Sequence, residues 1–103
     1  MSSYILSPEA QEDVFQIWAY LAEEASLETA NRIESKIFGA FQSLAGTPNL
    51  GHKRVDLTAH PVLFFRVRPY SYLTIYRVKT LLEIVAVLHG RRNIAELLQD
   101  RIP

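Results

Sequence analysis

Two stretches of helical periodicity, separated by about three residues, fill positions 8 to 46, and almost everything rich in β-forming residues follows them. A break that short leaves two helices no choice but to fold back on each other as an antiparallel hairpin. The first helix is expected from Pro8 to Glu24. Ser7 is placed to cap it, Pro8 needs no amide hydrogen at the first helical position, and Glu9, Glu12 and Asp13 favour the positive end of the helix dipole. Ala10, Val14, Ile17, Trp18, Leu21 and Ala25 make one apolar face. Ser26 caps the second helix, whose stripe is Ala30, Ile33, Ile37, Phe41 and Leu44, with Gly46 expected at the position just past its end and Pro48 blocking continuation.

A loop is expected from Thr47 to Pro61, followed by three strands. Val62–Val67 is nearly all apolar. Tyr72–Val78 alternates Leu73 and Ile75 with Tyr72, Thr74 and Tyr76, and Leu81–Leu88 is broken only by Glu83. Lys79-Thr80 is a poor two-residue turn, so the loop is expected to borrow a flanking residue. Tyr4-Ile5-Leu6 reads as a first strand, and Asn93 caps a short last helix carrying Ile94, Leu97 and Leu98. The order β-α-α-β-β-β plus a terminal helix specifies an α+β fold, a helical hairpin packed on a small, mainly antiparallel sheet. Residues 1–103 are read as one domain. A hairpin covers one face of such a sheet. With the chain nearly used up, the other apolar face is expected to need a partner.

Composition narrows the function. With no cysteine, thiolate metal sites and disulfides are excluded, and His52, His60 and His89 share no ligand spacing, so neither a metal nor a cofactor is expected. No signal peptide or membrane-spanning run is visible, which predicts a cytoplasmic location without membrane association. The net charge of zero hides a polarity. Residues 1–46 hold seven acids against Arg32 and Lys36, while residues 47–103 hold nine bases against four acids. Lys53-Arg54, Arg66, Arg68 and Arg91-Arg92 are candidates for one basic edge. The near-neutral pI of 6.8 argues against direct nucleic-acid binding by the chain alone. If the chain cuts RNA, His89, Arg91 and Arg66 are the candidates for moving a proton and stabilising the phosphorane. Arg77 is better read as an ion-pair partner of a carboxylate such as Glu83 than as a catalyst.

Four segments, in order along the chain, resemble ParE-type toxins of the ParE/RelE superfamily. They are Leu6-Ser7-Pro8-Glu9-Ala10 with Ile17-Trp18-Ala19-Tyr20-Leu21-Ala22, the loop Leu44-Ala45-Gly46-Thr47-Pro48-Asn49-Leu50-Gly51, the strand Tyr72-Leu73-Thr74-Ile75-Tyr76-Arg77-Val78, and Val85-Ala86-Val87-Leu88-His89-Gly90-Arg91-Arg92-Asn93-Ile94. The resemblance implies a toxin that inhibits DNA gyrase by binding rather than catalysis. It also implies a hetero-oligomer with a ParD-like antitoxin that lays an amphipathic helix in an apolar groove. On that basis Arg91, Arg92 and His89 are expected to face the target, and Trp18, Tyr20, Arg77 and Tyr76 the antitoxin. RelE-type relatives, similar in fold, cleave mRNA on the ribosome. They tend to carry an arginine within the middle strand, where this chain has Leu73, and a tyrosine or lysine near the C-terminus, whereas neither follows Lys79 here. These departures favour the ParE reading over a ribosome-dependent endoribonuclease. A detoxified relative kept as a protein-interaction module is the third possibility.

Overall fold

The computed structural model describes residues 3–102. Its elements are β1 (Tyr4–Leu6), α1 (Pro8–Glu24), α2 (Leu27–Gly46), a 3-10 turn (Pro48–Leu50), β2 (Leu63–Val67), β3 (Tyr72–Val78), β4 (Leu82–His89) and α3 (Ile94–Arg101). The helix starts follow from their caps. Ser7 Oγ accepts the Ala10 amide and Ser26 Oγ the Thr29 amide, each at 3.0 Å. Asn93 and Glu96 cap reciprocally: the Asn93 side chain accepts the Glu96 amide, and its Nδ2 donates to the Glu96 carboxylate at 2.8 Å. The end of α2 departs from expectation. Gly46 is its last helical residue, and no described glycine adopts positive φ. The helix stops because Pro48 has no amide to donate, and the Thr47 amide makes the last bond, to Ser43 O at 2.9 Å.

The strand order is β1-β4-β3-β2, with β1 parallel to β4 and the other pairs antiparallel. The β3–β4 loop takes in Leu81, whose carbonyl accepts the Lys79 amide at 3.2 Å, and Val78 then stands opposite Leu82. Ile75 faces Ala86 while Tyr76 faces Ile84, so Val85 is an extra residue, a bulge that turns Val85 and Ala86 to the same face. The segment expected as plain loop contains more structure than that. Besides the 3-10 turn, His52 forms a bridge with Phe64 on the outer side of β2.

The sheet separates two cores. On one face Val14, Ile33, Ile37, Phe41 and Leu44 of the hairpin pack on Tyr76, Ile84 and Val87. On the other, Ile94, Leu98 and Ile102 join Val62 over Phe64, Ile75, Val85 and Leu88. The second face therefore does not wait for a partner. Apolar residues at 94, 98 and 102 recur every four positions, so the short last helix carries a full stripe and closes the face itself. The expectation of an uncovered sheet is corrected accordingly. No described helix is long and apolar enough to cross a membrane.

Candidate functional site

What the fold leaves open is one end of β4. β1 runs beside it only from Leu82 to Ile84, so from Val85 onward β4 has side chains rather than a strand along that edge. Ser7 Oγ donates to Val85 O at 3.2 Å, and the Asp13 carboxylate accepts the Val87 amide at 2.9 Å. Above this edge lies a groove of about 610 Å³ between α1 and the ends of β3 and β4. Asp13, Gln16, Ile17 and Tyr20 reach it from α1 because they recur at i, i+3, i+4 and i+7 on one helix face. Tyr72, Val87, His89 and Arg92 form the opposite wall. Tyr72 and His89 are cross-strand partners, their rings edge to face at 5.4 Å. Burial pushes the Tyr72 hydroxyl above the usual tyrosine range, with nearby Tyr20 adding to the shift.

Asp13 anchors the groove. Its two carboxylate oxygens accept a forked bond from Arg101 of α3, with Nη2 to Oδ1 at 2.9 Å, while Oδ2 also takes the Val87 amide. Only 10 % of the Asp13 side chain is exposed, so each charge depends on the other for compensation. The Asp13 hydrogen bonds hold the Arg101 guanidinium above its ordinary pKa, against the opposing effect of burial. Helix α1, strand β4 and helix α3 are thereby tied at one point.

The residues named from sequence separate into distinct places. Tyr20 stands at the groove with 63 % of its surface exposed. Trp18 is half-buried on the side of the hairpin, stacked with Phe15 and donating its indole N–H to Asn31 Oδ1 at 2.8 Å. Tyr76 has no accessible surface, which corrects its assignment to an antitoxin-facing position. Its hydroxyl donates to Pro48 O at 2.7 Å and accepts the Gly51 amide at 2.9 Å, so it fastens the segment after α2 to the sheet. A β-carbon on Gly51 would lie 2.5 Å from that hydroxyl, and glycine is required there. Arg77 pairs with Glu83, its cross-strand partner, as anticipated, and the pair leaves only 25 % of the Arg77 side chain exposed.

His89, Arg91 and Arg66, proposed together for RNA cleavage, do converge. With Arg54, Ser71, Leu73 and Gly90 they line a second cleft of about 310 Å³. Arg66 is aimed by its Nε bond to Tyr70 O at 2.8 Å. His89 Nδ1 accepts the Arg91 amide at 3.1 Å, so the neutral ring carries its hydrogen on Nε2. Among the described residues no aspartate, glutamate, lysine or tyrosine lines this cleft. Arg92 turns the other way, into the α1–β4 groove, so neighbouring arginines serve different surfaces. Among the described residues no three potential metal ligands gather. Sequence reasoning missed Asp13, Ile17 and Tyr72 as groove residues. The spacing of 13, 17 and 20 on α1 was a usable signal, but nothing in the sequence pointed from Asp13 to Arg101.

Comparison with known proteins agrees with this architecture. The sequence model of the family described as the ParE toxin of the type II toxin–antitoxin system parDE matches residues 4–94. Toxin ParE1 of Caulobacter vibrioides is 29 % identical over 93 residues, spanning 90 % of this chain and 94 % of that protein. A solved structure described as the chromosomal ParDE TA system from P. aeruginosa shares the fold with a TM-score of 0.75 at 19 % identity, covering 86 % of this chain and 96 % of that one.

Proposed function

Because this chain belongs to the ParE toxin family, and so is the toxin of a type II toxin–antitoxin system, we propose that it inhibits DNA gyrase and is held inactive by a ParD-like antitoxin seated in the α1–β4 groove. The groove carries the reading. It has apolar walls (Ile17, Tyr72, Val87), an exposed aromatic rim at Tyr20, charged ends and, beyond Ile84, a strand edge with side chains rather than a strand beside it. A segment with apolar residues on one face fills such a site, and acidic flanks meet Arg92 and His89. Arg91, Arg92 and His89, grouped where β4 ends, are the residues we assign to the target, with inhibition by binding and no chemical step. Trp18, set beside the groove on the hairpin, and Arg77, held by Glu83, are peripheral to antitoxin binding in this reading.

Purified gyrase tests it. The toxin should inhibit supercoiling or trap DNA breaks, antitoxin should relieve the effect, and an Arg91→Ala/Arg92→Ala variant should lose it. Retained inhibition by that variant would remove the target assignment.

One observation favours a second reading, a ribosome-dependent mRNA endoribonuclease, namely the convergence of His89, Arg91 and Arg66 in one cleft. General acid–base cleavage needs one group to take a proton and another to give one. Among the described residues lining the cleft, His89 alone is of a type that serves as general acid or base, and a single group fills only one of the two roles, which places this reading second. Cleavage of mRNA in a reconstituted translation reaction, abolished by His89→Ala, would reverse the order.

A further inference from the structure

The cleft holding Arg66 and Arg91 does not end at β2. Arg66 also lines a shallow depression on its other side, with Lys36, Ala40, Phe65 and Arg68. Lys36 in turn lines a third, with Arg32, Ser35, Gly39 and Ser43 of α2. The three depressions share Arg66 and Lys36, so they join into one track from α2 across the edge of β2 to the turn after β4. Arg32, Lys36, Arg68, Arg66, Arg54 and Arg91 line it, and among the described residues no acidic one does. Of the cations, Arg54 is paired, by Asp56, with its Nη2 2.8 Å from the carboxylate.

We propose that this track binds the phosphodiester backbone of a nucleic acid. Five of its six cations are arginines, whose planar fork grips phosphate in two-point contacts. Ser35, Ser43 and Ser71 lie between the cations as further donors to phosphate oxygens, and Gly39 and Gly90 keep parts of the floor free of side chains. Arg32 and Lys36 are one helical turn apart, about 6 Å. Arg66 and Arg68 are two strand residues apart, about 7 Å. Positive charge repeated at that interval along a path fits a regularly charged polymer. An amphipathic peptide needs a continuous apolar floor; the α1–β4 groove gathers Ile17, Tyr72 and Val87 in one place, whereas the track's apolar residues, Ala40, Phe65, Val67 and Leu73, are divided between two of its depressions and flanked by cations. With no stack of aromatic platforms along the track, binding follows the backbone and is indifferent to base. The near-neutral pI that argued against such binding is an average. The fold places six of the eleven lysines and arginines on this one path. The proposal does not depend on gyrase being the target.

The test is fluorescence anisotropy of the full chain against a short dye-labelled DNA, as a single strand and as a duplex of the same length, across a salt series. Binding that weakens steeply with salt is expected, with a log–log slope of about −3 to −4 for roughly four neutralised phosphates. Lys36→Glu should weaken it about tenfold and flatten the slope by about 1 or more. Lys79→Glu, the same charge change in the exposed β3–β4 loop, should alter it less than about twofold, since the loop lies off the track. Whichever DNA form binds more tightly supports the proposal and identifies the natural ligand geometry. Equal loss in the two lysine variants would overturn it in favour of diffuse attraction. So would the absence of binding at low salt, a strong dependence on base sequence, or displacement by polyglutamate as readily as by polyphosphate.

Discussion

The α1–β4 groove and the basic track lie on the same small sheet and meet at His89, yet they are built on opposite principles. The groove has apolar walls, and its buried charge, Asp13, is consumed internally by Arg101 and the Val87 amide. The track is lined by six cations and three serines, and among the described residues none of those cations apart from Arg54 has an acidic partner within ion-pair distance. A surface whose charges are satisfied within the chain recognises shape and apolar area. One whose charges point outward recognises charge. The difference shows how a chain with zero net charge presents two surfaces with different chemistries.

Four substitutions sharpen or break that contrast. Asp13→Ala should have the largest effect, about 3 to 5 kcal/mol of unfolding free energy, because it strands the partly buried Arg101 guanidinium. Urea denaturation measures it, and the Asp13→Ala/Arg101→Ala double variant should recover part of the loss. A loss within about 1 kcal/mol would mean the groove has no internal charge anchor. Tyr76→Phe should cost about 1 to 3 kcal/mol by removing the hydroxyl between Pro48 and Gly51. It should leave antitoxin affinity unchanged, since Tyr76 reaches no surface.

Tyr76 also has a pH signature. Burial raises its folded-state pKa above the ordinary tyrosine value, although the Gly51 amide pulls the other way. Its contribution is therefore complete below about pH 10 and is lost as pH rises through the folded value. Alkaline denaturation of the native chain should accordingly be steeper than that of Tyr76→Phe. Tyr20→Ala should weaken antitoxin binding by about 1 to 2 kcal/mol, near tenfold in Kd, with thermal stability unchanged. An unchanged Kd would move the antitoxin away from the groove. Thr74→Val should have the smallest effect and the opposite sign, a gain of about 1 kcal/mol in denaturation. The Thr74 hydroxyl is fully buried and has no hydrogen-bond partner.

The fold was legible in the sequence wherever the signal is local. Ser7-Pro8 and Ser26 mark helix starts, alternation in Tyr72–Val78 separates two faces, and Arg77 and Glu83 lie on adjoining strands of one hairpin. Legibility failed where the cause is tertiary. Tyr76 is an exposed-face residue by composition, but its hydroxyl finds two backbone partners 25 and 28 residues earlier and the ring is drawn inside. Gly46 has the right residue type for a left-handed cap, yet Pro48 ends the helix without one. The uncovered sheet face was an error of counting, since three apolar residues spaced by four suffice when the face is narrow. The basic residues were visible as an inventory. Which of them share a path was not, because Lys36 and Arg66 come together through α2 packing near β2, and Arg91 and Arg92 diverge at a single turn.

The pairing of Asp13 with Arg101 also sets a schedule. The two residues are 88 positions apart, so during synthesis α1 and α2 emerge and can pair long before the carboxylate between them and β4 meets its counter-charge. Until α3 has been made the groove lacks its anchor, and the antitoxin seat proposed above is incomplete. A chain stopped after Asn93 should therefore fail to capture antitoxin in a pull-down of stalled ribosomes, whereas a full-length chain tethered by a linker should succeed.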